Sequence, residues 1–561
     1  MKALTRSLFT GALLAMAWPT YGLPFLIFFA FVPLLVMEYR MRCGYYVDES
    51  VVGLTTRKLE DKLQDADAEE SIITHDGHKN TGLKVFGLSY LAFLIWNAAA
   101  THWLINSTVF GGLFAIFVNS LLMAVVFQLY HQVAKRQNLR VAIVFFVSVW
   151  MAFEKMHLHW EFSWPWLNLG HVFAEFPDFI QWYEITGAFG GSLWILIINV
   201  AVFLGWIQFK KTTLASTRKL AFVFFGILAP ILLSALLRST WSREGNSVGE
   251  ISVQILQPNI DPYTAKYNRN NADVLRDLQI LTNGKNSDLI IAPETVLADN
   301  TRLKQFDQPS NRVATMLRNW RRQQGADILI GSSFVDFIRD ESLITAQSNV
   351  YDEGVWYNTF NSALWVTDSD SIQRYDKSKL VVGIENFPYV SVLKPILGDI
   401  MIDLGGTVAM KTTQENRDVF TSTQQAYSIA PIICYESVYG DYVTEYVQNG
   451  AQALGIITND GWWGDSQGHK QHLSLAQLRA IETRRQVVRS ANTGISAIIS
   501  STGYVTDQLE YGTKGNLQGT IKLYDAQTVY VRYGDYLARI AIYLAIAIFL
   551  FAFFKPVRKR K

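Results

Sequence analysis

Two cysteines in 561 residues are too few for a disulfide framework, and a formal net charge of +2 is too near zero to mark a nucleic-acid binder. Metal-ligand patterns are equally thin. His157–Leu158–His159 and the pair His469 and His472 have ligand-like spacing, but no acidic or cysteine cluster goes with either in sequence, so no metal site is expected. Charge is also missing in a pattern. Apolar stretches of span length, or nearly so, fall around 8–19, 22–38, 84–104, 108–131, 140–154, 190–209, 219–237 and 536–554, about eight helices with the first pair short. Between 249 and 525 no such stretch occurs, which implies a water-facing domain held between the seventh and eighth spans. No small-residue cleavage site precedes a soluble mature sequence, so the N-terminus reads as a retained span.

Base is missing from alternate loops. Arg40 and Arg42, then Lys135, Arg136 and Arg140, then Lys210, Lys211, Arg218 and Lys219, then Lys555 and 558–561 all fall on one side, whereas 155–189 holds only Lys155. Both termini are therefore expected in the cytoplasm and the 249–525 domain outside, with Trp96, Trp103, Trp164, Trp166 and Trp182 as an interfacial belt near it. The chain divides into two spans (1–42), a polar, acid-rich cytoplasmic loop (43–82), spans three to seven (83–248), the outer domain (249–525), and a last span with a basic tail (526–561). Asn97 and Asn199 within spans read as helix-packing contacts. This topology separates Cys43 from Cys434, so they cannot pair, and a lone cysteine outside the membrane is a liability unless it reacts.

Cys434 ends the β-branched run Ile429–Ile433 and precedes a turn at Gly440–Asp441 and an amphipathic helix at 442–448. It thus belongs at a strand-to-helix elbow, where helix N–H groups favour a thiolate. Further strands are expected at 251–256, 289–292, 327–331, 361–367, 371–375, 452–458 and 493–500, with helices near 270–283, 309–323 and 470–487, an α/β pattern with buried sheets. Glu294 and Lys377 also follow strands. A carboxylate to take a thiol proton, an ammonium to hold an oxyanion and a sulfur nucleophile are the minimum set for acyl transfer.

The order Pro293–Glu294–Thr295, Tyr375–Asp376–Lys377 with Leu380–Val381 and a following glutamate, then Cys434–Tyr435–Glu436 resembles the Glu-Lys-Cys apparatus of the carbon–nitrogen hydrolase (nitrilase) superfamily. With the membrane frame, and with Thr458–Asp465, Gln471–Glu482, Asn492–Ser496, Tyr533–Asp535 and Trp164–Gly170, nearly the whole chain except 43–82 is similar to the apolipoprotein N-acyltransferases. The resemblance implies an αββα sandwich on a polytopic helical membrane domain of about eight helices. It casts Cys434 as nucleophile, Glu294 as general base, Lys377 as oxyanion holder and Glu385, Tyr435 and Glu436 as supporting residues. Trp462 and Trp463 match aromatics near the acyl-chain entrance, and Tyr267 stands where the family often has tryptophan. Where the family usually has Val-Pro-Phe-Gly-Glu this chain has Val381–Val382–Gly383–Ile384–Glu385. The resemblance further implies a bacterial inner-membrane enzyme, acting without cofactor as a monomer. Its acyl donor is a membrane phospholipid, attacked at the sn-1 ester, and its acceptor a diacylated apolipoprotein.

Two other readings fit parts of the pattern. A membrane-tethered amidase or nitrilase shares the triad and gives its acyl group to water. A transporter or scaffold would place ionisable residues along a path through the spans, which hold few: Lys84, His102 and Arg539 lie near ends. Loops at 383–410 and 461–468, rich in glycine, are expected to open toward lipid.

Overall fold

The computed structural model describes residues 2–19, 22–43, 81–208, 213–243, 247–282, 286–392, 409–424 and 426–554. Nearly all of the polar loop 43–82, the tail 555–561, and positions 393–408 of the expected opening loop lie outside them. Among the described residues six helices are long and apolar enough to cross a membrane: Pro24–Arg42, Thr81–Asn106, Val109–Ala134, Ala188–Ile207, Ala221–Trp241 and Tyr536–Phe554. The spans expected at 8–19 and 140–154 do form helices, Lys2–Ala17 and Leu139–Met156. The first has only 16 residues and the second carries Arg140, Glu154 and Lys155, so the count of about eight falls to six on length and composition. Asn199 packs helices as expected: its Oδ1 accepts the Phe31 N–H at 2.9 Å and its Nδ2 donates to the Ile27 carbonyl at 2.8 Å.

The water-facing half is an αββα sandwich with fourteen strands among the described residues: β1 Ser247–Gln257, β2 Leu289–Ile291, β3 Leu297–Arg302, β4 Asp327–Ile338, β5 Asn349–Asp352, β6 Val355–Val366, β7 Gln373–Asp376, β8 Phe420–Thr421, β9 Ser428–Ile433, β10 Ala453–Thr458, β11 Val487–Ala491, β12 Ser496–Ile499, β13 Val505–Leu509 and β14 Gly515–Tyr524. One mixed sheet runs β14-β1-β2-β4-β6-β5, with β3 against β4 and β7 against β6; the other runs β13-β12-β11-β10-β9-β8. The period of two sorts the side chains. Leu289, Ile291 and Leu329 point at Ile429, Ile457 and Val488 of the second sheet, which share a face with Gly455, while Ile290, Ile328 and Ile330 pack under helices Asn271–Thr282 and Arg312–Gln324. Where the sheets meet, a side chain at Gly455 would come within 2.8 Å of Leu329.

The sandwich is fastened to one set of helix ends. Lys155 at the end of Leu139–Met156 pairs with Asp441 at 2.9 Å and with Asp535, just before the last helix, at 2.7 Å. The Ala188 N–H is held by Glu482 at 3.0 Å. Asn106 and Ser107 donate to the Trp463 and Trp462 carbonyls at 2.7 and 3.1 Å, and the Trp103 and Trp463 rings meet edge to face. The loop carrying both tryptophans is thereby set directly over the helices.

Candidate active site

Three strand ends converge between the sheets. β9 stops at Ile433, and Cys434 takes a left-handed backbone (φ 49°), unusual for a residue with a side chain. Such an elbow turns the thiol out of the sheet. Glu294 follows β2, and its turn lies so close to β4 that a side chain at Gly331 would stand 2.4 Å from the Thr295 nitrogen and 2.7 Å from Glu294 Cα. Lys377 follows β7, its N–H donating to the Asn361 carbonyl of β6 at 2.8 Å. The Lys377 ammonium bridges Glu294 Oε1 at 2.8 Å and Glu385 Oε2 at 2.9 Å. Asn361 Nδ2 spans the same two carboxylates at 2.8 and 2.9 Å.

Burial works against the Lys377 ammonium, but Glu294 and Glu385 outweigh it and hold its pKa well above the usual lysine value. The Glu385 carboxyl is disfavoured by burial too, yet Lys377 and the Val381 N–H keep it below the usual range. Cys434 behaves otherwise. Burial, then the negative charge of Glu294, pushes its thiol up, and Lys377 offsets only part of this. The expected thiolate-favouring helix end is thus corrected: Cys434 opens a single 3₁₀ turn, Cys434–Val438, too short to outweigh burial, so the resting sulfur carries its proton.

Cys434 and Tyr435 open onto an apolar cavity of about 400 Å³ that runs down the helix Val109–Ala134 from Thr108 to Leu122. Trp463 lines its mouth together with Val381–Ile384. The altered loop is well defined: Gly383 (φ 80°) closes it by donating to the Asn386 carbonyl at 2.9 Å, and the Glu385 N–H donates to the Val381 carbonyl at 2.9 Å. Trp462 stands apart from this lining. Its ring meets Tyr263 at 5.0 Å and lies 5.9 Å from the Lys266 ammonium. Tyr267 falls in the turn Lys266–Asn268, and its side chain is outside the described residues. Tyr435 donates to the Ser163 carbonyl at 3.2 Å. Glu436 is buried behind the elbow, accepting from Tyr375 and Tyr442 hydroxyls at 2.7 Å, from Ser378 N–H at 2.7 Å and from Ile433 N–H at 2.8 Å. One carboxylate therefore ties the residue after Lys377 to the residue before Cys434.

Several residues at the site gave no signal in sequence. Lys266 is buried, donates to Thr295 Oγ1, and is brought by burial to a pKa of about 8 despite Glu294. Asn361 is another. Beneath Cys434, His472 Nδ1 lies 2.9 Å from Asp460 Oδ1, Arg489 donates to Asp460 Oδ2 at 2.6 Å, and His472 Nε2 is 3.2 Å from the Cys434 carbonyl. The expectation that no acid or cysteine accompanies His472 is thus wrong: ligand atoms of Cys434, Asp460 and His472 lie within 4.8 Å of one another. A guanidinium within that group and the commitment of His472 to Asp460 make it a buried brace for the elbow.

A sandwich of this topology, with a cysteine at the end of one sheet facing a lysine–glutamate pair from the other, defines the carbon–nitrogen hydrolase class, and residues 255–530 match the model of the carbon–nitrogen hydrolase family. Residues 72–201 match the apolipoprotein N-acyltransferase N-terminal domain. Among curated proteins, the apolipoprotein N-acyltransferase of Chlorobaculum tepidum is 28% identical over 482 residues, covering 85% of this chain and 88% of the relative. That of Nitrosomonas europaea is 29% identical over 398 residues, 70% of this chain and 72% of the relative. The chain belongs to the apolipoprotein N-acyltransferase family, and it is an enzyme of bacterial membranes.

Proposed function

We propose that the protein moves the sn-1 acyl chain of a membrane phospholipid, through a thioester on Cys434, to the α-amino group of the diacylglyceryl-cysteine that begins an apolipoprotein. The observation that carries this reading is the cavity: the sulfur beside the Glu294–Lys377 pair faces an apolar space built by membrane helices. Burying an acyl chain there gains about 0.8 kcal/mol per methylene.

In the first half-reaction Glu294 takes the thiol proton and the thiolate attacks the ester carbonyl. Lys377 stabilises the oxyanion, and the protonated Glu294 delivers its proton to the departing glyceryl oxygen, so lysophospholipid leaves. In the second, the acceptor amine, with a pKa of about 8 and thus partly neutral at pH 7, attacks the thioester. Its surplus proton passes to Glu294 and the thiolate departs. Tyr435, Glu436 and Glu385 hold the nucleophile and the lysine in place, while Trp463 at the cavity mouth and Trp462 beside Lys266 receive the substrates, a role that Tyr267 shares by its position in the sequence. The distribution of Lys and Arg supports a periplasmic sandwich with both termini in the cytoplasm, and one copy supplies every group named. Purified protein given phospholipid and a diacylated lipopeptide is expected to yield N-acylated peptide; free fatty acid instead would favour the hydrolytic alternative.

A further inference from the structure

The membrane-buried end of the acyl cavity is polar. Asn119 and Leu122 mark that end on the helix Val109–Ala134, roughly 16 Å along the helix from Thr108 at 1.5 Å per residue. Asn119, His157 and Trp164 line this cavity and also a second one of about 10 Å³ just behind it, which Glu154 lines as well. A space of that size holds one water.

Each of these four side chains leaves one polar atom unpaired among the described residues. Asn119 donates from Nδ2 to Asn97 Oδ1 at 2.7 Å, and its buried Oδ1 meets no donor. That amide orientation is fixed, because the Asn97 Nδ2 is itself committed to the Phe93 carbonyl at 2.9 Å. His157 Nδ1 accepts from Trp160 Nε1 at 3.2 Å, so the ring proton is on Nε2, which finds no acceptor. Trp164 Nε1–H is likewise buried without an acceptor. Glu154 uses Oε1 for Trp150 Nε1 at 3.1 Å and the Leu169 N–H at 2.8 Å; the Ser192 hydroxyl lies near the carboxylate but donates to Asn168 Oδ1 at 2.9 Å, so Oε2 has no donor committed to it. Two donors and two acceptors around a one-water space match the two lone pairs and two hydrogens of water, and buried polar groups are almost always paired.

We propose that one water molecule is bound between Asn119, Glu154, His157 and Trp164, and that this hydrated floor limits the length of the acyl chain that the cavity accepts. The second part rests on the acyl-transfer reading above. A chain long enough to reach the floor would have to displace the water and leave four groups unpaired. A shorter chain ends among Phe114, Ala115 and Val118.

Two measurements test this. A structure that resolves solvent is expected to show one ordered water within hydrogen-bond distance of all four atoms; finding those atoms bonded to one another, or a lipid tail between them, would overturn the site. Thioester formation is then followed by intact mass in nanodiscs of phosphatidylethanolamine bearing palmitoyl, stearoyl or arachidoyl chains at sn-1. Trp164→Phe, which removes the indole N–H together with part of the ring, and Asn119→Leu are expected to raise the stearoyl-to-palmitoyl rate ratio, by up to about fourfold for each methylene newly accommodated. An unchanged ratio in both variants would overturn the ruler while leaving acyl transfer standing. Absence of a thioester from every lipid in the unmodified protein would instead overturn the acyl-transfer reading, and the ruler with it.

Discussion

Lys377→Met removes the ammonium that bridges two buried carboxylates. The side chain is 1% exposed, with Glu294 at 2.8 Å and Glu385 at 2.9 Å, so methionine fills the space but leaves negative charge facing negative charge. Breaking a buried pair from one side costs about 3–5 kcal/mol. The sign with pH follows from the shifts. Glu385, held below its usual value, contributes stability above about pH 4.3 that is lost as pH falls through its folded value. Lys377, held above its usual value, contributes stability below about pH 10.4 that is lost as pH rises through its folded value. At pH 7 both contributions are present and the variant loses both. Near pH 4 Glu385, no longer held down by Lys377, takes up its proton, the repulsion relaxes, and the deficit shrinks. Thermal unfolding in detergent at the two pH values reads this out, and thioester formation should fall by more than about a hundredfold through loss of the oxyanion partner. A variant as stable as the parent at pH 7, or equally destabilised at both pH values, would refute the reasoning.

Two further outcomes follow from the same geometry. Because burial and Glu294 push the Cys434 thiol up, its alkylation by iodoacetamide in the resting enzyme should keep rising with pH past the ordinary thiol range of about 8–9; a plateau below pH 7 would contradict this. Gly331→Ala, whose new methyl meets Thr295 N at 2.4 Å and Pro293 O at 2.5 Å, should cost about 1–3 kcal/mol and slow thioester formation, checked by melting temperature and intact mass; full activity would show that the Glu294 turn yields freely.

The interior strands, and the places of Glu294 and Cys434 at strand ends, were legible because β2, β9 and β10 are short β-branched runs that stop at Ala292–Pro293, Cys434 and Asn459. The edges were not. β13 (Val505–Leu509) runs through three exposed polar residues, Thr506, Asp507 and Gln508, and β5 is largely exposed, so no apolar period marks them. The strand expected at 493–500 is β12, and β11 before it was hidden by the expected helix end near 487, since the helix Gln467–Thr483 ends at left-handed Arg484. Lys266 and Asn361 acquire their setting from residues far away in sequence, Thr295 and Glu294 for the lysine and the Glu294–Glu385 pair for the amide. A surface-like local composition conceals both. The state of the Cys434 proton depends on burial between two sheets, which strand position alone does not report.

Intact mass of the full-length protein after exposure to a defined phospholipid, with and without Cys434→Ala, tests the central claim most directly. A mass gain of one acyl chain on the unmodified protein, absent from the folded alanine variant and discharged by a diacylated lipopeptide, is the predicted result. No gain, or the same gain on Cys434→Ala, would contradict it.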